Sequence, residues 1–159
     1  MQRRFALMLS AALAVGCSSV TDLGPERTLL IEFDHPPTGA DAMELSRRGA
    51  QVTLAVQVVQ GLLVRSAAEK ASFDSMRGVV SVKDLGLDAD PFVAVFIHMM
   101  SPPTEADVAF LTRAGGLGVS GKPSSLLITA QMRVSALDGV LPLGNVAYVN
   151  VYANTVRLA

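Results

Sequence analysis

One stretch of fourteen residues occurs twice in this chain, and the repetition confines the fold to two copies of a small unit. PPTGADAMELSRRG (Pro36 to Gly49) aligns with PPTEADVAFLTRAG (Pro102 to Gly115) at an offset of 66, with eight of fourteen positions identical. Unrelated segments of this length would share about one. Apolar segments flank the two copies at matching places. Thr28 to Phe33 and Phe92 to Ile97 precede them, while Val52 to Val59 and a weaker Leu117 to Ser120 follow. Then come Gly61 to Val64 and Ser125 to Thr129, and each copy closes on a valine-rich segment, Val79 to Val82 and Val146 to Tyr152. Asp88-Ala89-Asp90-Pro91 divides the copies, combining charge with a strand-starting proline.

The repeated block reads as a helix with its own start and stop. Thr38 and Thr104 each stand three residues before an acid, Asp41 and Asp107. At that spacing a hydroxyl and a carboxylate satisfy the first free N–H groups of a helix reciprocally. The paired prolines stop the preceding strand. Ala42 with Leu45, and Val108 with Leu111, supply the inward face. Arg47 and Arg48 complement the helix C-terminus, and Gly49 or Gly115 supplies the left-handed exit. These polar residues are therefore read as caps rather than ligands. A second helix is expected in the first copy, opened by Ser66 with Glu69, facing inward through Phe73 and Met76, and ended at Arg77-Gly78. Its counterpart, Ser135 to Gly144, is shortened to a turn or two by Gly139 and Pro142.

The order in each copy is strand, helix, strand, strand, helix, strand, the split βαβ arrangement. The predicted class is α+β, with two tandem ferredoxin-like βαββαβ domains packed on each other, spanning residues 28–87 and 91–152. A unit of about 60 residues is marginal alone, burying only about 60% of its chain surface. The strand runs Leu29-Leu-Ile31, Val93-Ala-Val-Phe-Ile97 and Leu126-Leu-Ile128 are continuously apolar, whereas a strand with one wet face alternates. Both faces of each sheet are thus expected to be covered. Either the two sheets pack on each other, or one open face awaits a partner.

The N-terminus carries an address. Arg3 and Arg4 precede an apolar run from Phe5 to Val15, too short to span a bilayer as a mature helix. Ala14-Val15-Gly16-Cys17 resembles the lipobox of bacterial lipoproteins, in which the cysteine is acylated (palmitate is one such chain) and becomes the new N-terminus. The alternative is an ordinary signal peptide that contains a cysteine. The lipobox reading makes residues 1–16 a signal peptide, 17–27 a polar tether and Cys17 the lipidation site. Ser18 resembles the sorting position of outer-membrane lipoproteins, so the expected location is the bacterial cell envelope, at the outer membrane. No later apolar run reaches transmembrane length, so attachment would be by lipid alone.

Loss of the signal leaves 11 basic and 14 acidic side chains. No basic stripe remains, which argues against nucleic acid as a partner. Cys17 is the only cysteine, so no intrachain disulfide is possible. His35 and His98 follow first strands out of register with each other. Together with Asp34 they would make a metal site only if the strand ends met, so no metal and no cofactor is predicted. Serines lie in tether, caps and loops without a G-x-S-x-G context. Gly115-Gly-Leu-Gly118 follows a helix rather than opening one, the wrong order for a phosphate loop. No catalytic residue is assigned, and the chain is read as non-enzymatic.

Leu29-Leu-Ile-Glu-Phe33, Gly49-Ala-Gln-Val52, Val58-Val-Gln-Gly-Leu-Leu-Val-Arg65 and Met76-Arg-Gly-Val-Val-Ser-Val82 together resemble the subtilisin propeptide-like inhibitor family. The resemblance covers Thr28 to Asp84, and Phe92 to Tyr152 more loosely. It implies βαββαβ units that chaperone or inhibit subtilisin-like serine proteases, laying an open sheet face on the protease and running the following segment through its cleft. In this chain that segment is the tail 153–159, with Asn154, Thr155, Val156, Arg157, Leu158 and Ala159 as partner-binding residues. No protease domain follows, so the implied action is in trans. The expected function is a lipid-anchored, protein-binding module whose partner is another envelope or secreted protein. The alternatives are a structural or assembly lipoprotein of the envelope and, less well supported, a small-ligand sensor with a site between the domains.

Overall fold

The computed structural model describes residues 24–153. The first half runs β1 (Arg27–Phe33), α1 (Gly39–Arg47), β2 (Ala50–Val56), β3 (Gly61–Ser66), α2 (Ala71–Asp74) and β4 (Val79–Gly86). The second runs β5 (Phe92–Met99), α3 (Glu105–Arg113), β6 (Leu117–Lys122), β7 (Leu127–Arg133), a 3₁₀ segment (Val134–Val140) and β8 (Val146–Ala153). Short 3₁₀ turns, Gln57–Val59 and Pro123–Ser125, link β2 to β3 and β6 to β7. The fold is mixed α+β, with two four-stranded sheets ordered β2-β3-β1-β4 and β6-β7-β5-β8. Every paired neighbour is antiparallel.

The repeated block folds as its caps dictate. The Asp41 N–H donates to the Thr38 hydroxyl at 3.4 Å, and the Thr38 N–H donates to the Asp41 carboxylate at 2.7 Å. Thr104 and Asp107 repeat the exchange at 3.2 and 2.8 Å. Each helix turns one fully buried leucine, Leu45 or Leu111, towards its sheet. Each exits through a glycine in the left-handed region, Gly49 at φ +87° and Gly115 at φ +100°, where a Cβ would be strained. The hairpins repeat a rarer detail. Gln60 and Leu126, one repeat apart, both hold φ at +51°, and their carbonyls accept the last strand N–H groups of Phe33 and Met99.

Three local expectations are corrected. Ser66 does not open a helix: it ends β3, its hydroxyl donating to the Gly49 carbonyl and accepting from the Ala68 N–H, both at 3.0 Å. That local turn competes successfully with helix initiation, so α2 shrinks to four residues with no side-chain cap, although Phe73 and Met76 are buried as the spacing predicts. Val52 to Val59 is not one strand, because β2 ends at Val56 and the chain tightens into a 3₁₀ turn. The third correction concerns the apolar runs. In β1, Leu29, Leu30 and Ile31 are all buried, so both faces of that strand are covered. In β5 only Val93, Val95, Ile97 and Met99 are buried, while Phe92, Ala94, Phe96 and His98 stay partly exposed. The equally apolar run of β5 has one covered face.

Two buried clusters explain the difference. Leu29, Ile31, Phe33, Leu62, Val64 and Val82 on one face of the first sheet join Leu45, Phe73 and Met76 from its helices. Leu30, Val56 and Leu63, on the opposite face, belong to a second cluster. That cluster also holds Val93, Val95, Ile97, Val149 and Val151 from the second sheet, with Leu111, Leu137 and Val140 from its helical layer. The 3₁₀ segment of the second half is small, and side chains from the first sheet complete the cover it begins. A polar clamp crosses the same junction. The Asp138 carboxylate accepts from the N–H groups of Gln57 and Val58, at 3.1 and 2.9 Å.

Candidate functional site

The strand alternation of the second sheet assembles a surface from residues far apart in sequence. Cross-strand partners point to the same side, so His98 lies between Leu127 and Tyr148, Phe96 between Thr129 and Asn150, and Ala94 between Gln131 and Tyr152. Arg133 faces Phe92 at one corner, and Lys122 pairs with Leu127 at another. The buried residues that α3 and the 3₁₀ segment supply, Leu111, Val134, Leu137 and Val140, do not cover this side, because they cluster on the opposite face with Val95 and Ile97. The result is a helix-free face rich in aromatic rings.

The rings are ordered by one another. His98 and Tyr148 stack with centroids 4.1 Å apart and planes 14° from parallel. Phe96 meets Tyr152 edge to face at 5.2 Å. Both arrangements suit the aromatic quadrupole. The Arg133 guanidinium lies over the Phe92 ring, 4.5 Å from its centroid, within the range of a cation–π contact. Tyr148 and Tyr152 nevertheless remain 56% and 51% exposed. They sit four residues apart on the edge strand β8, a span of roughly 13 Å at ordinary strand rise, with Asn150 between them. Aromatic rings held in this way have little side-chain freedom left to lose on contact with another surface.

The matching face of the first sheet is closed. Leu30 is the repeat counterpart of Phe96, and it is fully buried. Beside it Glu32 takes a 2.7 Å ion pair from Lys83, and the Lys83 ammonium lies 6.0 Å from the Tyr152 ring centroid. The boundary of the open face is therefore the junction between the halves.

The two histidines serve separate local structures. His35 is held between two carboxylates, Nδ1 to Asp34 at 2.6 Å and Nε2 to Asp41 at 3.2 Å. The hydrogen bond to Asp34, and then that to Asp41, raise its pKa above the ordinary 6.5, favouring the imidazolium. Burial pushes the Asp41 carboxyl up, but the Thr38 N–H and hydroxyl and the His35 ring outweigh it and hold Asp41 below the usual carboxylate range. Gly78 is required beside this group, since a Cβ there would stand 2.6 Å from the His35 ring. The second copy has Ser101 at the place of His35, bonded to Asn145 at 2.7 Å. The cluster thus belongs to one copy and ties the α1 cap to the turn before β4. Among the described residues, no group of three or more His, Cys, Asp or Glu side chains is arranged to hold a metal ion, and no helix is long and apolar enough to cross a membrane.

Cys17 and the tail Asn154, Thr155, Val156, Arg157, Leu158 and Ala159 lie outside the described residues. The valine-rich pattern of β8 does not by itself point to the aromatic face. Its signal was present: the only two tyrosines of the chain alternate with valines in Tyr148-Val-Asn-Val-Tyr152. No protein-family model matches the chain, and no curated protein matches it.

Proposed function

We propose that this chain is a non-enzymatic, protein-binding lipoprotein of the bacterial cell envelope, anchored through Cys17. Its two halves, 28–87 and 91–152, are ferredoxin-like domains stacked in one direction. The helix-free face of the first is buried against the second, and that of the second is left for a partner. The observation that carries the reading is the contrast between Leu30, fully buried, and its repeat counterpart Phe96, which stays partly exposed against the half-exposed Tyr152. Strand orders β2-β3-β1-β4 and β6-β7-β5-β8 support the domain assignment. Aromatic side chains with arginine, and few acids, are the composition of interface centres.

The narrower form of the proposal is restraint of an exported subtilisin-like protease in trans, with Asn154 to Ala159 following β8 into the protease cleft. The test uses the chain from residue 18 onward, mixed with subtilisin-type proteases. Stoichiometric loss of protease activity, together with co-elution on size exclusion, supports it. Full activity and separate elution remove the protease from the proposal while leaving the binding module. Mass spectrometry of the protein purified from its own membranes tests the anchor. A diacylated or triacylated N-terminal Cys17 is the expected result, and an unmodified N-terminus refutes it.

A further inference from the structure

Which kind of molecule covers the aromatic face can be narrowed from its charges and from how the chain covers its own equivalent surface. Not one residue of β5, β6, β7 or β8 is Asp or Glu. The cations on this face are Lys122 and Arg133, both exposed and both at its margins. Lys83, already paired with Glu32, stands beside Tyr152. The centre is aromatic, with the Thr129 hydroxyl and the Asn150 amide between the rings. A bare apolar centre would suit a lipid surface, but burying Asn150 and Thr129 in hydrocarbon leaves polar groups without partners. A protein surface supplies such partners.

A second copy of the chain is disfavoured on two grounds. Face-to-face pairing would bring together two surfaces with cationic margins whose strands carry no carboxylate. Head-to-tail stacking would need the clamp seen inside the chain, in which one carboxylate takes two successive N–H groups of the hairpin turn, from Gln57 and Val58. The equivalent turn of the second sheet begins with Pro123, which has no N–H. The internal joint therefore cannot be copied onto this face.

Resting on the protein-binding reading above, we infer that the aromatic face of β5–β8 is a single docking surface for a different protein, one that presents an aliphatic patch flanked by carboxylates opposite Lys122 and Arg133. The chain is monovalent, because the same face of the first sheet is consumed in holding the two halves together. Tyr148 and Tyr152 fill the partner's patch, while the two marginal cations steer the encounter and set its salt dependence.

Site-specific photocrosslinking of the full chain in its native host tests this. p-Benzoylphenylalanine replaces Tyr148 or Tyr152 in turn, with exposed Met43 and Val80 of the first half as control positions. The expected result is one discrete protein adduct from both face positions and none from the controls, with Asp or Glu residues neighbouring the crosslinked peptide. Lys122→Glu or Arg133→Glu should lower the adduct yield about tenfold at an unchanged urea midpoint. An adduct of twice the chain mass, or one without a partner protein, overturns the inference. So does a yield indifferent to both charge reversals. Adducts from Met43 or Val80 alone overturn the face but leave the protein-binding reading standing, whereas the absence of any adduct at all four positions refutes both.

Discussion

Leu30 and Phe96 occupy the same place in the two repeats, and truncating each to alanine should give very different results. Leu30 is fully buried in the cluster shared by the two halves. Removing three of its carbons leaves a cavity that sheets fixed on both sides cannot close, so Leu30→Ala should cost about 3–4 kcal/mol. Phe96 is partly exposed and its ring packs edge to face with that of Tyr152. Phe96→Ala loses part of a ring's burial and one aromatic contact, about 1–2 kcal/mol. Urea unfolding followed by far-ultraviolet circular dichroism reads both. With a slope of about 1.5 kcal/mol per molar, the midpoint falls by about 2–2.7 M for Leu30→Ala and by about 0.7–1.3 M for Phe96→Ala. Leu30→Val gives the same ordering with a smaller loss if the alanine variant fails to fold. Because one cluster joins both halves, each variant should unfold in a single transition. Equal losses, or a greater loss at Phe96, would refute the idea that only the first sheet's face is closed.

Three further outcomes follow from named contacts. Asp138→Ala leaves the exposed N–H of Gln57 and the part-buried N–H of Val58 without their carboxylate and should cost about 1–2 kcal/mol in the same unfolding assay; Asp138→Asn, retaining one acceptor, should cost less. Thr38→Ala and Thr104→Ala should each cost about 1 kcal/mol, and the double variant their sum, since the two caps share no partner. The His35 contribution should depend on pH in a fixed direction. Its folded pKa is raised above the ordinary 6.5, so its stabilisation is full below that value and fades as pH rises through the raised pKa. The stability difference between wild type and His35→Gln should accordingly shrink from pH 6 upward, and a difference that grows with pH would contradict the assignment. Asp41 acts in the opposite sense: its lowered pKa gives stability above the usual carboxylate range that disappears in acid.

Much of this architecture is written in short-range signals. The Thr-x-x-Asp pairs and the glycines that follow them specify α1 and α3 through contacts within a few residues, and the repeat then doubles each inference. The open face was hidden for a physical reason. Alternation reveals a half-covered strand only when the uncovered face is polar, and β5 places Phe92, Ala94, Phe96 and His98 on that side. A run of apolar letters cannot distinguish a side chain buried within the chain from one kept for a partner. Ser66 misled because a serine hydroxyl serves a turn as readily as a helix start, and only the position of the Gly49 carbonyl decides. Asp138 stood in a stretch read as a weak helix, and its two N–H partners lie some eighty residues earlier. Nothing local announces a contact of that range.

The central claim is that the aromatic face is open in the isolated chain and covered in the envelope. The chain has two tyrosines, both on that face, and no tryptophan. Nitration of tyrosine with tetranitromethane, quantified by peptide mass spectrometry, therefore reports on this surface alone. The account predicts that Tyr148 and Tyr152 react readily in the purified chain and are protected several-fold in intact envelopes, with protection lost in Lys122→Glu. Tyrosines equally reactive in both settings, or shielded already in the purified chain, would contradict it.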